Sequence, residues 1–359
     1  MKIFLHNIMW FRVSWALLIV WFIFLFAAIP ASTSEIVEFI TPTKNSSPTD
    51  LAFDQEGNLW FTEVHGNKIG KLIPSKTKPG TSEGIVEYEL PTPNSKPTYM
   101  LITRDGMIWF SAWGANSIDR LNPITGNFTE FPIPTPNSEP HKLVEQSDGS
   151  IWFTEFEANK IGRLNPTTGA IQEYNVNKGN PHGITLREGI VWYTQAGKFW
   201  KKQFFNKIAS LDPKNNQIKE ITIPPKNSVP HAISSSKNGD IWFTQFFGKK
   251  ISRLDFSSEG PPKIITYSLG KKGGTPHDLW VDQSRNLIWY ADNHGDQIGR
   301  LDLSLAKPGT SNGVKTFKVP TPGAHTSQVA LDADGNVWFT EMGMYFRGRY
   351  QNKIGKLIP

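Results

Sequence analysis

The chain has no cysteine among its 359 residues. That excludes disulfides, thiolate metal sites and a cysteine nucleophile. It leaves the compartment open, since many exported proteins carry no disulfide. The chain also lacks a run of Lys and Arg interleaved with aromatics at a nucleic-acid spacing, and its net charge is only +6. Lys2 and Arg12 supply two of those six charges, and the rest is thin over so long a chain, so nucleic acid is not an expected partner.

Long apolar runs are confined to one place. Val13 to Ile29 is almost wholly apolar, preceded by Lys2, His6 and Arg12 and followed by Pro30-Ala31-Ser32-Thr33. A basic start, an apolar stretch and then small residues read as a secretory signal. Its length of 17 residues is close to the shortest helix that spans a bilayer, so an uncleaved anchor is the alternative. Residues 1–31 are therefore expected to be a signal peptide or a membrane anchor, forming an apolar helix. Positive charge before the span puts everything after it outside. The expected location is secreted, or held on the outer face of the cytoplasmic membrane, with the membrane a partner only if the segment is kept.

What the chain has in quantity is aromatics and turn formers: 13 Trp, 23 Phe, 30 Gly and 26 Pro. They are arranged periodically. Two or three apolar residues, then Trp-Phe or Trp-Tyr, then a small polar residue and an acid or amide recur around Trp60, Trp109, Trp152, Trp192, Trp242, Trp289 and Trp338. That period is the length of a propeller blade. Glycine turns precede most cores, as at Asp105-Gly106 and Asp334-Gly335, and mark tight hairpins. A strand of the type Asn-Lys-Ile-Gly-Arg-Leu follows, and then an alternating strand such as Val86-Glu87-Tyr88-Glu89-Leu90. Period-two alternation suits a half-exposed outer strand.

Six outer strands follow the first six cores, and the seventh core has none before Pro359. An orphan copy, Ile36 to Pro42, sits ahead of the first core. The fold class expected is therefore all-β: a seven-bladed β-propeller of four-stranded blades over residues 36–359, closed by its own N-terminal strand. Closure of that kind leaves no large unpaired edge.

A site at the channel mouth is expected to draw on the start of each inner strand and the end of each second strand. A Pro-X pair marks the inner strand, and X is Thr49, Thr98, His141, His182, His231 and His277, with Ser327 in the seventh repeat. Four consecutive blades thus offer histidine at one position, from only eight in the chain. Converging neutral imidazoles can ligate a transition metal or serve as acid and base. The second ring is Glu63, Ala112, Glu155, Gln195, Gln245, Asp292 and Glu341. Its carboxylates either satisfy local backbone groups or complete a cation site. His141, His182, Glu155 and Glu139 are the candidate metal ligands on this reading. Two enlarged basic, aromatic loops, Ala196 to Phe205 and Met342 to Gln351, open on the same face and offer Trp200 and Tyr345 for substrate contact.

Gly149-Ser-Ile-Trp-Phe-Thr-Glu155, Ala158-Asn-Lys-Ile-Gly-Arg-Leu164 and Pro132 through Glu139-Pro140-His141 resemble the streptogramin B lyases, the virginiamycin B lyase family. The likeness runs from about residue 36 to the end. It implies a seven-bladed propeller and a carbon–oxygen lyase that opens a cyclic depsipeptide at its ester with magnesium. It also implies His231 and His277 as the catalytic pair, one a general base, with Asp292 as a metal carboxylate. Thr275 stands where the family has Glu before the second Pro-His. The extra histidines point instead to a softer, transition-metal cation. Three functions follow: a lyase acting on a cyclic ester or related substrate, a non-catalytic recognition propeller for a small-molecule or envelope ligand, and a histidine-rich metal-binding protein.

Overall fold

The computed structural model describes residues 35–198, 201–270, 274–344 and 348–359. They form twenty-eight strands in seven four-stranded antiparallel sheets. The lone helix among the described residues is a short 3-10 turn at Pro74–Lys76, and none is long and apolar enough to cross a membrane. The apolar segment expected to be an N-terminal helix lies outside the described residues, as do Trp200 and Tyr345.

Six blades are consecutive in sequence. The first runs from the inner strand Pro48–Phe53 through Leu59–Glu63 and Lys68–Leu72 to the outer strand Ile85–Glu89. The seventh combines Thr326–Leu331, Val337–Met344 and Arg349–Ile358 with the chain's first strand, Glu35–Ile40, as its outer member. Ile36 pairs with Leu357 and Phe39 with Ile354. Phe39 also stacks on Trp338 at 5.4 Å and joins a cluster with Leu51, Phe61 and Leu72 of the first blade. The closing strand therefore buries its side chains between the last and first blades. Glu38 adds a polar latch, accepting from Thr321 of the sixth blade at 2.8 Å and from Lys353 of the seventh at 2.6 Å.

The repeat follows from packing. Six of the seven repeat tryptophans lie under a cation from the neighbouring strand, as with Lys71 over Trp60 at 4.9 Å, Arg163 over Trp152 at 5.3 Å and Lys356 over Trp338 at 5.0 Å, while Trp192 faces Ser210. In four blades the aromatic after the Trp is paired across the strands with the Gly of the Ile-Gly motif. Phe61 opposes Gly70, and a Cβ there would lie 2.1 Å from the ring. Glycine recurs at that place because the ring occupies its side-chain volume.

Candidate functional site

The threonine two places after the Trp in five of the blades builds the rim of the site. Thr194 Oγ1 donates to the carbonyl of His231 in the next blade at 2.8 Å and accepts from Gly183 N–H of its own blade at 2.8 Å. Thr154 holds the carbonyl of His182 in the same way, and Thr62 that of Thr98. Thr340 closes the circle on the carbonyl of Thr49 at 3.0 Å. The residue before the first position of the inner strand is in the left-handed region in six of the seven blades: Ser47, Lys96, Glu139, Asn180, Val229 and His325. For the β-branched Val229, at φ 51°, that is strained backbone. Left-handed turn and threonine clamp occur together at Thr49, Thr98, His182 and His231, whose side chains line the channel mouth.

The result is a cavity of about 370 Å³ at the channel mouth, lined by Thr49, Thr98, His141, His182, His231 and His277. The four histidines stand edge to edge around one arc. Ring centroids are 4.7 Å apart between His141 and His182, 3.8 Å between His182 and His231, and 4.2 Å between His231 and His277. His231 Nδ1 lies 2.9 Å from the carbonyl of His277, and His277 Nδ1 lies 2.9 Å from the carbonyl of Ser327. A carbonyl only accepts, so each Nδ1 carries the proton and each Nε2 keeps a lone pair. His182 Nε2 meets the hydroxyl of Tyr99 at 3.1 Å, and His141 stacks on Phe156 at 4.7 Å. Burial pushes His141 and His231 down to about 3, and holds His182 and His277 well below the usual imidazole value. All four are neutral at pH 7.

The second ring does not reach this cavity. The structure places Glu155 inside its blade, beside Glu173 and Ser138, where burial and then the Glu173 charge raise it to about 8. Asp292 accepts from the backbone N–H groups of Gly274, Thr275 and Gly295 at 2.7, 2.9 and 3.1 Å. Both were expected to face the mouth as metal ligands, and neither lines it. The residue one step later faces the mouth instead: Val64, Trp113, Phe156, Ala196 and Met342 line it, while Phe246 lies 5.6 Å from His231. A one-residue step reverses the face of a strand. The signal was present, since that next position is apolar in six of seven repeats. Glu139 does line the cavity, half-buried, with its carboxyl raised by burial and by Glu157.

Sequence reasoning also missed the residue after X. Lys142 Nζ lies 3.3 Å from Asp50 and 3.8 Å from Asp278, joining the third blade to the first and sixth across the channel. Asp50 is buried and accepts Met100 N–H at 3.0 Å. Lys142 also sits 4.7 Å over the Tyr99 ring.

Magnesium is a poor match for these residues. It takes oxygen ligands in a nearly octahedral set, whereas the mouth offers mainly imidazole nitrogens, with Glu139 and the Lys198-paired Glu157 as its carboxylates. The oxygens of Asp292 are already occupied by amides. For a softer cation, imidazole is a suitable donor, but among the described residues no three His, Cys, Asp or Glu side chains come together as a metal-holding group.

The sequence model of the Virginiamycin B lyase family matches residues 28–199, 148–301 and 195–357. A curated virginiamycin B lyase of Nocardia farcinica is 29% identical over 196 residues, which cover 46% of this chain and 63% of that protein. The match thus spans less than two thirds of that relative's length. A solved streptogramin B lyase superposes with a TM-score of 0.76 at 29% identity, covering 90% of this chain and 97% of that one. Virginiamycin B lyase from Staphylococcus aureus gives 0.75 at 26% identity, covering 91% of this chain and all of that one. Its catalytically inactive histidine-to-alanine variant with quinupristin gives 0.75 at 27%, with the same coverage.

Proposed function

Because this chain belongs to the virginiamycin B lyase family, we propose that the histidine-lined cavity is the active site of a carbon–oxygen lyase for a cyclic ester or a related β-acyloxy carbonyl compound. The observation that carries this reading is the tautomer of the His231–His277 pair. Backbone carbonyls hold both Nδ1 protons, so two neutral Nε2 atoms are left as bases beside an apolar cavity. In the reaction, one Nε2 takes the proton on the carbon next to the carbonyl. That C–H electron pair becomes the C=C bond, the β carbon–oxygen bond breaks, and the ester leaves as a carboxylate. Both imidazoles are held alike through Nδ1, so either His231 or His277 serves as the base. His141 and Tyr99–His182 bound the other side of the cavity and position the substrate. No step is assigned to magnesium, because imidazole nitrogens predominate at the mouth.

A second reading has its own support. Thr275 in place of an acid, and imidazoles made weakly basic by burial, favour a propeller that binds a ligand at this mouth without turning it over. The test is incubation of the chain with quinupristin, with and without added divalent cations, followed by mass spectrometry. Elimination gives a ring-opened product of unchanged mass, whereas hydrolysis adds a water. No opened product under any condition would leave the binding reading standing.

A further inference from the structure

Away from the cavity, at the edge of the same face, a second depression of about 610 Å³ is lined by four lysines and no carboxylate. Lys178 comes from the loop entering the fourth blade, Lys198 and Lys202 from that blade's enlarged loop, and Lys226 from the loop entering the fifth. Lys198 is paired with Glu157, while Lys178, Lys202 and Lys226 are exposed. A shallower depression adjoins it and shares Phe204 and Lys226. There Phe204 and Phe247 pack edge to face at 5.8 Å, yet stay 37% and 40% exposed. Two mutually packed aromatics that stay more than a third exposed beside three exposed lysines, with no ion pair for those three among the described residues, are poorly explained by folding alone.

We propose that this edge of the propeller docks on an anionic lipid surface, with Phe204 and Phe247 entering the acyl boundary and Lys178, Lys202 and Lys226 meeting phosphate headgroups. Charge complementarity selects an anionic partner, and the exposed aromatic pair selects one with an apolar phase beside its charge. A soluble polyanion would use the lysines and leave the rings unexplained. The docking is independent of whether the cavity turns over a substrate.

The experiment is amine-acylation footprinting of the full chain by mass spectrometry. It compares phosphatidylcholine vesicles with vesicles that also contain phosphatidylglycerol. Lys178, Lys202 and Lys226 are expected to be protected about fivefold or more in the anionic vesicles. Lys214 and Lys237, in hairpins on the opposite face, stay reactive. The double variant Phe204→Ala, Phe247→Ala loses most of that protection. Equal labelling of the three lysines in both vesicle types overturns the proposal. So does full protection by tripolyphosphate without lipid, or protection that the double variant retains.

Discussion

His231 directs its Nδ1 at the main-chain carbonyl oxygen of His277, 2.9 Å away. The tautomer of one rim histidine is thus fixed by the backbone of the next, and the arrangement repeats from His277 to Ser327. Because a backbone group does the holding, His277→Ala leaves His231 oriented. If His277 is the base, that variant lowers kcat by about 10²–10⁴-fold while thermal stability and the His231 ring-nitrogen shifts stay near wild type. An equal loss of kcat in Thr244→Val, which removes the clamp on the His277 carbonyl (3.5 Å) and the acceptor of Ala232 N–H (3.0 Å), would mean that positioning rather than proton transfer was being measured.

Acid should unfold the protein through the same histidines. Their folded-state values are depressed by burial, to about 3 for His141 and His231, against about 6.5 in the unfolded chain. The unfolded state therefore binds more protons between those limits. Stability is full above pH 6.5 and falls as pH drops towards 3. A urea series at stepped pH checks this. The quadruple His→Gln variant at positions 141, 182, 231 and 277 should lose much of the slope between pH 6.5 and 4.

The buried second-ring acids act in the opposite direction. Glu63, Glu155 and Glu341 are each raised to about 8, burial being the largest cause and a neighbouring carboxylate the next. In the fourth blade the same place is Gln195, whose amide donates to Glu220 at 3.0 Å. A protonated glutamic acid is close in shape to that glutamine. Here the folded state holds the extra proton, so stability is full below about pH 4.5 and declines as pH rises through 8. Each Glu→Gln substitution should leave Tm at pH 5 unchanged and raise it at pH 8.5 by about 2–4 °C, as read by calorimetry.

Lys142→Met removes the cation between Asp50 and Asp278 and leaves two buried carboxylates facing one channel. Breaking a buried pair in this way costs about 3–5 kcal/mol. The loss should be larger at pH 8 than at pH 5, where a carboxylate can take up a proton, and Asp278 is already raised to about 7. Adding Asp50→Asn and Asp278→Asn should restore part of the stability. Denaturant unfolding at the two pH values measures both effects.

Phe39→Ala tests the ring closure. Phe39 is 4% exposed and stacked on Trp338, so truncation should cost about 3–5 kcal/mol. Limited proteolysis should then cut between the closing strand and Pro48 sooner than at any other loop, because the outer strand of the last blade is the piece loosened.

Much of this was legible in the residues. Seven tryptophan cores, an orphan outer strand and a Pro-X mark on each inner strand determine blade number, mode of closure and the four rim histidines, since a repeat fixes register wherever it recurs. Two things were not legible. At the end of each second strand, acid and apolar residue are neighbours, and only the pleat decides which one faces the channel. The tertiary structure gave the mouth to Phe156 and its counterparts and folded Glu155 and Asp292 into the blades. Nor could local pattern join Lys142 to Asp50 and Asp278, 92 and 136 positions away. Those contacts exist only because the ring closes and brings blades one, three and six to a common axis.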